Sequence, residues 1–258
     1  MDRILDFSDS LVIGNNETCL FFLGQAGFII KSKSGQLLGV DLYLSDCVER
    51  VELDHVGYKR LLPKILNPKD IVFDFLICTH FHRDHYDVDS VPLLMDNDKT
   101  QLYCPEDCKN DALNLKRVTL VKPGTNCEVG DFKLHFVNCD HGTGAPLAVG
   151  VIVEVDGKRI LEIGDTCLRI DRKEEYLSFG EIDALIAPIN GMYGNLNSDE
   201  CAKLADLLKP KLTIPCHYGM FAAHHGDVGA FHEIMDRDYP NSRYLIMAQG
   251  EKYTFEEI

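Results

Sequence analysis

The sequence predicts an α+β protein built around a β-sandwich, and three observations support this prediction. Short apolar runs separated by turn residues fill the first third and the middle of the chain. In the last third, strand-like runs alternate with segments that carry helix-capping residues and N-terminal acids. No linker rich in Pro, Gly and Ser interrupts the 258 residues, so we expect a single domain over residues 1–258.

Each predicted strand is an apolar run that ends at Gly, Asp, Asn, Pro or Ser. These runs are 18–23, 27–31, 36–42, 71–77, 101–104, 125–129, 132–138, 148–155, 159–163, 184–188, 212–215 and 244–247. Helices are predicted over 87–95, after Pro105, from Ser198 as N-cap to Lys209, and over 227–235. The segment 43–69 shows no clean period, and we interpret it as an excursion beside the functional site.

Composition limits the compartment and the partners. A formal net charge of −15 argues against nucleic-acid partners and anionic membranes, which select basic surfaces. No apolar run reaches the length of a membrane span and the N-terminus lacks a signal pattern, so we expect a cytoplasmic protein without a membrane partner. The ten cysteines are then expected to stay reduced as small packing residues. Self-association into a homo-oligomer remains open.

The motif Cys-Thr-His-Phe-His-Arg-Asp-His-Tyr at 78–86 is the strongest functional signal. Within six residues it contains His80, His82, Asp84 and His85, directly after an apolar run. Imidazole and carboxylate groups at this spacing suit divalent metals such as zinc. A tight turn can direct the first two histidines to one ion and the other two residues to a second ion.

Other polar residues also stand where predicted strands end. His141, Asp165 and His217 each follow such a run. Any one of them alone would more often be structural, but a sandwich edge gathers its loops, so their recurrence there favours a shared site. Asp41 has two interpretations, because it could orient a ligand histidine from behind or simply form a turn.

These motifs resemble those of the metallo-β-lactamase superfamily. The resemblance rests on Thr-His-Phe-His-Arg-Asp-His at 79–85, on Gly-Asp-Thr at 164–166 and on Pro-Cys-His-Tyr at 215–218, with His141 between them. Leu-Gly-Gln-Ala-Gly-Phe at 23–28 and Val-Lys-Pro-Gly at 121–124 are similar to the L-ascorbate-6-phosphate lactonase (UlaG-like) group. The resemblance implies a four-layer αββα sandwich, the metallo-β-lactamase fold.

The resemblance also implies a dinuclear metal site. His80, His82 and His141 would hold the first metal, Asp84, His85 and His217 the second, and Asp165 would bridge them. The ions would be Zn²⁺ or Mn²⁺, with Fe²⁺ also compatible with these ligands. The implied function is a metal-dependent hydrolase that uses a metal-bound hydroxide, with Asp84 or Asp165 moving the proton to the leaving oxygen.

A small anionic ester or lactone, such as a sugar-phosphate lactone, is the expected substrate, because two ions and their ligands leave the site about one charge positive. Several residues are candidate substrate contacts: Lys59, Arg60, Arg83, Asn190, Tyr193, Asn195 and Tyr218. For the three cations, plain solvation is the competing interpretation. His224 and His225 are interpreted as surface residues, and His55, His135 and His232 as structural ones.

Two alternatives remain open. One keeps the metals and makes the protein a phosphodiesterase or ribonuclease, which the absence of a basic, aromatic-rich stretch disfavours. The other is a non-catalytic metal-binding regulatory module, which the full set of ligand types disfavours. An oxidoreductase with a fused flavin domain is disfavoured because the chain has no room for that domain.

Overall fold

The computed structural model describes residues 16–52 and 56–256, and these residues form two β-sheets. Thirteen strands lie within the described ranges. They are β1 (Cys19–Gly24), β2 (Gly27–Lys31), β3 (Leu37–Val40), β4 (Phe75–Ile77), β5 (Gln101–Pro105), β6 (Val118–Val121), β7 (Asn126–Val129), β8 (Phe132–Asn138), β9 (Val149–Val155), β10 (Lys158–Glu162), β11 (Ala184–Pro188), β12 (Thr213–Cys216) and β13 (Lys252–Thr254).

The described part of the chain has five α-helices, three of them of five residues only. They are α1 (Cys47–Val51), α2 (Ser90–Leu94), α3 (Lys173–Leu177), α4 (Ser198–Leu208) and α5 (Val228–Asp238). Short 3₁₀ turns cover Glu106–Cys108, Ile170–Arg172 and Ala222–His224.

The two sheets repeat one plan. The first has the order β13-β1-β2-β3-β4-β5-β6 and the second β12-β11-β10-β9-β8-β7. In each sheet an antiparallel meander, β1 to β3 or β7 to β10, continues into parallel strands. This repetition agrees with the order of elements in the two halves of the chain.

Apolar side chains from both sheets interleave in one central core. Phe28 and Ile77 of the first sheet join Phe136 and Val151 of the second in a single buried cluster. Helix α2 covers the outer face of the first sheet, and α4 with α5 covers that of the second. The layers therefore run helix, sheet, sheet, helix, and the predicted αββα metallo-β-lactamase fold is confirmed.

The carboxyl ends of several strands meet at one edge of this sandwich. β3, β4, β8, β10 and β12 all run toward that edge, because parallel neighbours end on the same side. Two backbone hydrogen bonds join the sheets there, from Val149 N to Thr79 O at 3.0 Å and from His217 N to Gln25 O at 2.7 Å. The loops that carry the candidate ligands are thus held together by the backbone.

Some predicted elements differ from the observed ones. Residues 244–247 form only an isolated bridge, Thr213 to Tyr244, and not a strand. The last described strand is instead β13, which pairs with β1. The helix expected after Pro105 is a single 3₁₀ turn, and Asn197 rather than Ser198 caps α4. His55 lies outside the described residues.

Candidate metal centre

Three imidazoles form the first candidate ligand group. His80, His82 and His141 place one ring nitrogen each within 4.8 Å of the others. His82 Nδ1 lies 3.0 Å from His80 Nε2 and 3.1 Å from His141 Nε2. These are the three residues that the family resemblance assigned to the first metal.

Two further groups lie beside the first. His80, His85 and Asp165 form one, and Asp84, His217 and His224 form the other. His85 Nε2 lies 3.0 Å from His217 Nε2 and 3.7 Å from Asp84 Oδ2, so the set predicted for the second metal also converges. His224 is buried and joins this side, so the prediction that it is a surface residue is wrong.

Asp165 lies between the two sides of the site. Its Oδ1 is 2.9 Å from His217 Nε2, and its Oδ2 is 3.8 Å from His141 Nε2. A carboxylate at this place can contact cations on both sides. It follows β10 directly, and the turn before it needs Gly164 at φ +71, where an added Cβ would lie 3.0 Å from Val149 O.

Asp41 acts behind the ligands and does not simply form a turn. It is fully buried with φ 49, and its Oδ2 lies 2.7 Å from His85 Nδ1. Thr79 donates to it twice, from its amide at 2.7 Å and from its hydroxyl at 2.6 Å. A carboxylate on Nδ1 fixes the ring so that Nε2 faces the site, as is common for metal-ligating histidines.

Gln25 is a site residue that sequence reasoning missed. Its Nε2 lies 2.8 Å from Asp84 Oδ2, 3.0 Å from His217 Nδ1 and 2.7 Å from His224 Nδ1. The residue is fully buried and occupies the turn between β1 and β2, at the same edge as the ligands. The sequence feature that could have indicated Gln25 is its position in the Leu-Gly-Gln-Ala-Gly-Phe motif.

His224 is held among aromatic rings. It stacks on His217 at 5.6 Å with an interplanar angle of 10°, and Phe221, Tyr58 and Tyr193 present tilted or edge-on rings at 4.9, 5.7 and 5.6 Å. Its neighbour His225 is exposed, as expected. His232 is exposed, and His135 bonds to Asn126 on the outside of the second sheet, so neither belongs to the site.

Burial and charge set the protonation of the ligands. Burial lowers the pKa of His141 and of His224 to about 4, so both rings are neutral at neutral pH. Burial opposes ionisation of Asp84, but His85, His224 and His217 bring its pKa to about 2. Burial also opposes charge on His85, yet Asp165, Asp41 and Asp84 raise its pKa well above the usual value.

The donor set fits divalent cations. Two atoms that bind one ion at about 2.1 Å lie roughly 3.0–3.4 Å apart, and the ring-nitrogen contacts at 3.0 and 3.1 Å match this spacing. The neighbouring carboxylates raise the pKa of His85, so without metal its ring carries a proton. A bound cation would displace that proton. Neutral imidazoles beside ionised carboxylates are the form that metals bind.

A cavity of about 360 Å³ opens on these ligands. Its polar lining comes from the two sides of the candidate centre, and its apolar lining comes from α1 and from aromatic rings. The lining residues are Val48, Val51, Glu52, Tyr58, Phe81, His82, Arg83, Asp84, His141, Asp165, Tyr193, His217 and His224.

The uncharged substrate-contact candidates divide between the cavity and other places. Tyr193 lines the cavity, where its hydroxyl is hydrogen-bonded to that of Tyr58. Asn190 and Asn195 are buried and bond to each other at 3.1 Å, so they shape the loop rather than line the cavity. Tyr218 packs on Phe22 and donates to Met247 O, which directs its hydroxyl away.

The cationic candidates divide in the same way. Arg83 lines the cavity but is paired with Asp111 at 2.7 Å. Arg60 is buried, stacks over Tyr43 and donates to backbone carbonyls, including Tyr43 O at 2.9 Å, so it joins residues 43–45 to residues 62–63. Lys59 is exposed and does not belong to the cavity lining. The sequence could not separate these roles because each depends on tertiary contacts.

The ten cysteines are free, as expected. Cys78 and Cys216 are buried next to the ligand-bearing turns, and Cys139 donates to Asp165 O at 2.9 Å. None of the ten belongs to a candidate ligand group among the described residues. Their role is packing and backbone support.

Fold and site together define a protein of the metallo-β-lactamase fold with a histidine and aspartate cluster that could hold metal ions. The family model described as beta-lactamase superfamily domain matches residues 19–217. The chain therefore belongs to the beta-lactamase superfamily.

Relatives and solved structures agree with this assignment. The chain is 27% identical to a UPF0173 metal-dependent hydrolase of Polynucleobacter asymbioticus, over 93% of this chain and 87% of the relative. Igni18, a metallo hydrolase from Ignicoccus hospitalis, shares the fold with a TM-score of 0.73 and 19% identity, covering 93% and 99% of the two chains. An isothiocyanate hydrolase from Delia radicum gut bacteria has a TM-score of 0.75 at 15% identity, covering 92% and 98%.

Among the helices of residues 16–52 and 56–256, none has the length and apolarity that crossing a membrane requires.

Proposed function

We propose that the protein is a metal-dependent hydrolase of small carboxylic esters or lactones. The observation that carries this proposal is the position of Asp165 in the cavity lining, where its carboxylate lies within 4 Å of His217 and His85 from one ligand set and of His141 from the other. Such a carboxylate suits a pair of divalent ions. The names of the relatives, which include metal-dependent hydrolases, support the same class.

Each side of the site has a proposed ligand set. His80, His82 and His141 would hold one ion, and Asp84, His85 and His217 the other, with Asp165 shared. His224 is an additional candidate for the second side. Imidazole with carboxylate suits Zn²⁺, Mn²⁺ or Fe²⁺.

When bound, two divalent ions polarise a carbonyl and lower the pKa of water. The residues of the chain then orient the reactants and move the proton. Asp84 lines the cavity, and the Gln25 amide donates to its Oδ2 at 2.8 Å, which fixes the carboxylate. In the reaction, a water oxygen bonds to the carbonyl carbon, the ester carbon–oxygen bond breaks, and Asp84 or Asp165 passes the proton from water to the leaving oxygen.

The sequence pointed to an anionic substrate such as a sugar-phosphate lactone. Only Arg83 among the three cationic candidates lines the cavity, so the placement of charge gives that substrate little support. We therefore retain esters and lactones as the class and treat phosphorylated lactones as one arm of the test.

The test is hydrolysis by the metal-loaded protein of a panel of esters, lactones, phosphorylated lactones and phosphodiesters. We expect ester or lactone turnover, and we expect Asp165→Ala to lower kcat/KM by about 100-fold or more together with the bound metal. Asp171→Ala changes an exposed carboxylate paired with Arg169 and serves as control.

Full activity of the Asp165 variant would contradict its shared role. Turnover of phosphodiesters alone would favour a phosphodiesterase or ribonuclease, and bound metal without any turnover would favour a regulatory module.

A further inference from the structure

We propose that the cavity takes an uncharged substrate that carries a flat apolar group beside the scissile bond. This inference rests on the proposed hydrolase function and names its substrate class. Its basis is the part of the cavity that lies outside the ligand groups.

The outer wall of the cavity is apolar and accessible. Val48 and Val51 extend into it from α1, and Phe81 lies between two of the candidate ligands in sequence. Val51 is 55% exposed and Tyr193 is 53% exposed. Large apolar side chains exposed at a concave site, next to a few polar groups, are typical of surfaces that bind organic ligands.

Two tyrosines also line the cavity. The hydroxyl groups of Tyr58 and Tyr193 are hydrogen-bonded to each other, which links the 43–69 segment to the loop after β11. Both rings lie against His224, at 5.7 and 5.6 Å between centroids. Because the hydroxyl groups engage each other, the rings present mainly their carbon faces and edges to a ligand.

The charge of the lining disfavours an anionic ligand. Among the described residues, Arg83 is the only lysine or arginine that lines the cavity, and Asp111 pairs with it. Asp84 and Asp165 belong to the candidate metal centre, where bound cations would offset their charge, and Glu52 is the one further carboxylate of the described lining. A phosphate group bound away from the metal centre would have to compete with Asp111 for the guanidinium of Arg83, and it would share the cavity with the carboxylate of Glu52. The free-energy cost of removing the phosphate from water would therefore be poorly compensated.

The test compares three methyl esters with the metal-loaded protein: methyl phenylacetate, methyl acetate and monomethyl succinate. We expect kcat/KM for methyl phenylacetate to exceed both others by about tenfold or more. Val51→Glu should remove most of this preference, because it puts a charge on the apolar wall. Val72→Glu alters a valine that is 50% exposed outside the cavity lining, and it should leave the preference unchanged.

A binding measurement separates this inference from the proposed activity. Saturation-transfer NMR on the same metal-loaded protein should show binding of phenylacetamide, which is uncharged, and Val51→Glu should weaken it by about tenfold or more. If phenylacetamide binds in this way but no ester is hydrolysed, the substrate class holds and the hydrolase proposal fails. If esters are hydrolysed with equal rates, or monomethyl succinate is preferred, the hydrolase proposal holds and the substrate class is overturned. Absence of phenylacetamide binding also overturns it.

Discussion

At the scale of single residues, the side chain of Gln25 connects three ionisable residues of the site. Its amide nitrogen contacts Asp84, His217 and His224, and its backbone carbonyl accepts from His217 N. A primary amide has two hydrogens, so it can donate to two of these three neighbours. Gln25 therefore fixes the orientation of the second side of the centre without being a ligand itself.

Replacing Gln25 with Ala should weaken metal binding on that side. Loss of a residue that orients the ligands typically costs 10- to 100-fold in metal affinity, and we expect a loss of about this size. The measurement is the dissociation constant of the weaker-bound equivalent, from competition with a chromogenic chelator. Gln101→Ala, on an exposed residue of β5, should leave affinity unchanged. Equal metal affinity in the Gln25→Ala and Gln101→Ala variants would show that Gln25 contributes to packing and does not orient the ligands.

The buried histidines should make the metal-free protein sensitive to mild acid. His141 and His224 have pKa values lowered to about 4, so between about pH 6.5 and 4 the unfolded chain binds more protons than the folded one. The free energy of unfolding should then fall as the pH is lowered through this window, by on the order of 2 kcal/mol for each ring.

His85 and Asp84 change the free energy of unfolding only outside this pH window. His85 has a raised pKa, so its contribution is complete below about pH 6.5 and is lost only at higher pH. Asp84, with a pKa near 2, loses its contribution only below about pH 4. Urea denaturation across pH should therefore show a flatter slope for His224→Gln than for the native protein. The exposed His232→Gln should keep the native slope, and equal slopes in all three proteins would contradict the assignment.

At the scale of elements, the turns after the strands position the chemistry, and most of them could be predicted. Apolar runs ending at 77, 138 and 163 located β4, β8 and β10 within a residue or two at their carboxyl ends. The short helix α1 was not predicted, since five residues leave no period to detect. The run 244–247 has strand composition, but it makes only one bridge to β12 and so remains irregular.

At the start of helix α4, residue preference alone predicts the wrong N-cap. Ser198 and Asn197 are both good caps, and only the backbone decides between them. Asn197 has extended geometry, φ −88 and ψ 177, and its side chain accepts from Glu200 N at 2.9 Å. Glu200 accepts in return from Asn197 N at 3.0 Å, which completes a capping box.

Asn197→Ala should destabilise the protein by about 1 kcal/mol, because the amide of Glu200 loses its acceptor. The measurement is the midpoint of urea denaturation at constant m-value. The exposed Asn241 provides a matched control, and Asn241→Ala should shift the midpoint little. A cost for Asn197→Ala no larger than for the control would remove the capping box as a source of stability.

At the scale of the whole molecule, the candidate centre lies where the two sheets meet. His80, His82, Asp84 and His85 follow a strand of the first sheet, whereas His141, Asp165 and His217 follow strands of the second. The resemblance of these motifs to a known family predicted that the seven residues converge. Gln25 lies in a motif of that resemblance, but neither it nor His224 was assigned to the site, because their contact spans 199 residues and forms only in the folded chain.

This arrangement leads to the central claim that side chains from both sheets bind a pair of divalent cations. Elemental analysis of the protein purified without added metal tests it most directly. We expect close to two equivalents of Zn, Mn or Fe per chain, falling to about one in His141→Ala and in His217→Ala, which each remove a ligand from one side. Metal content near zero in the native protein, or content unchanged in both variants, would contradict the claim.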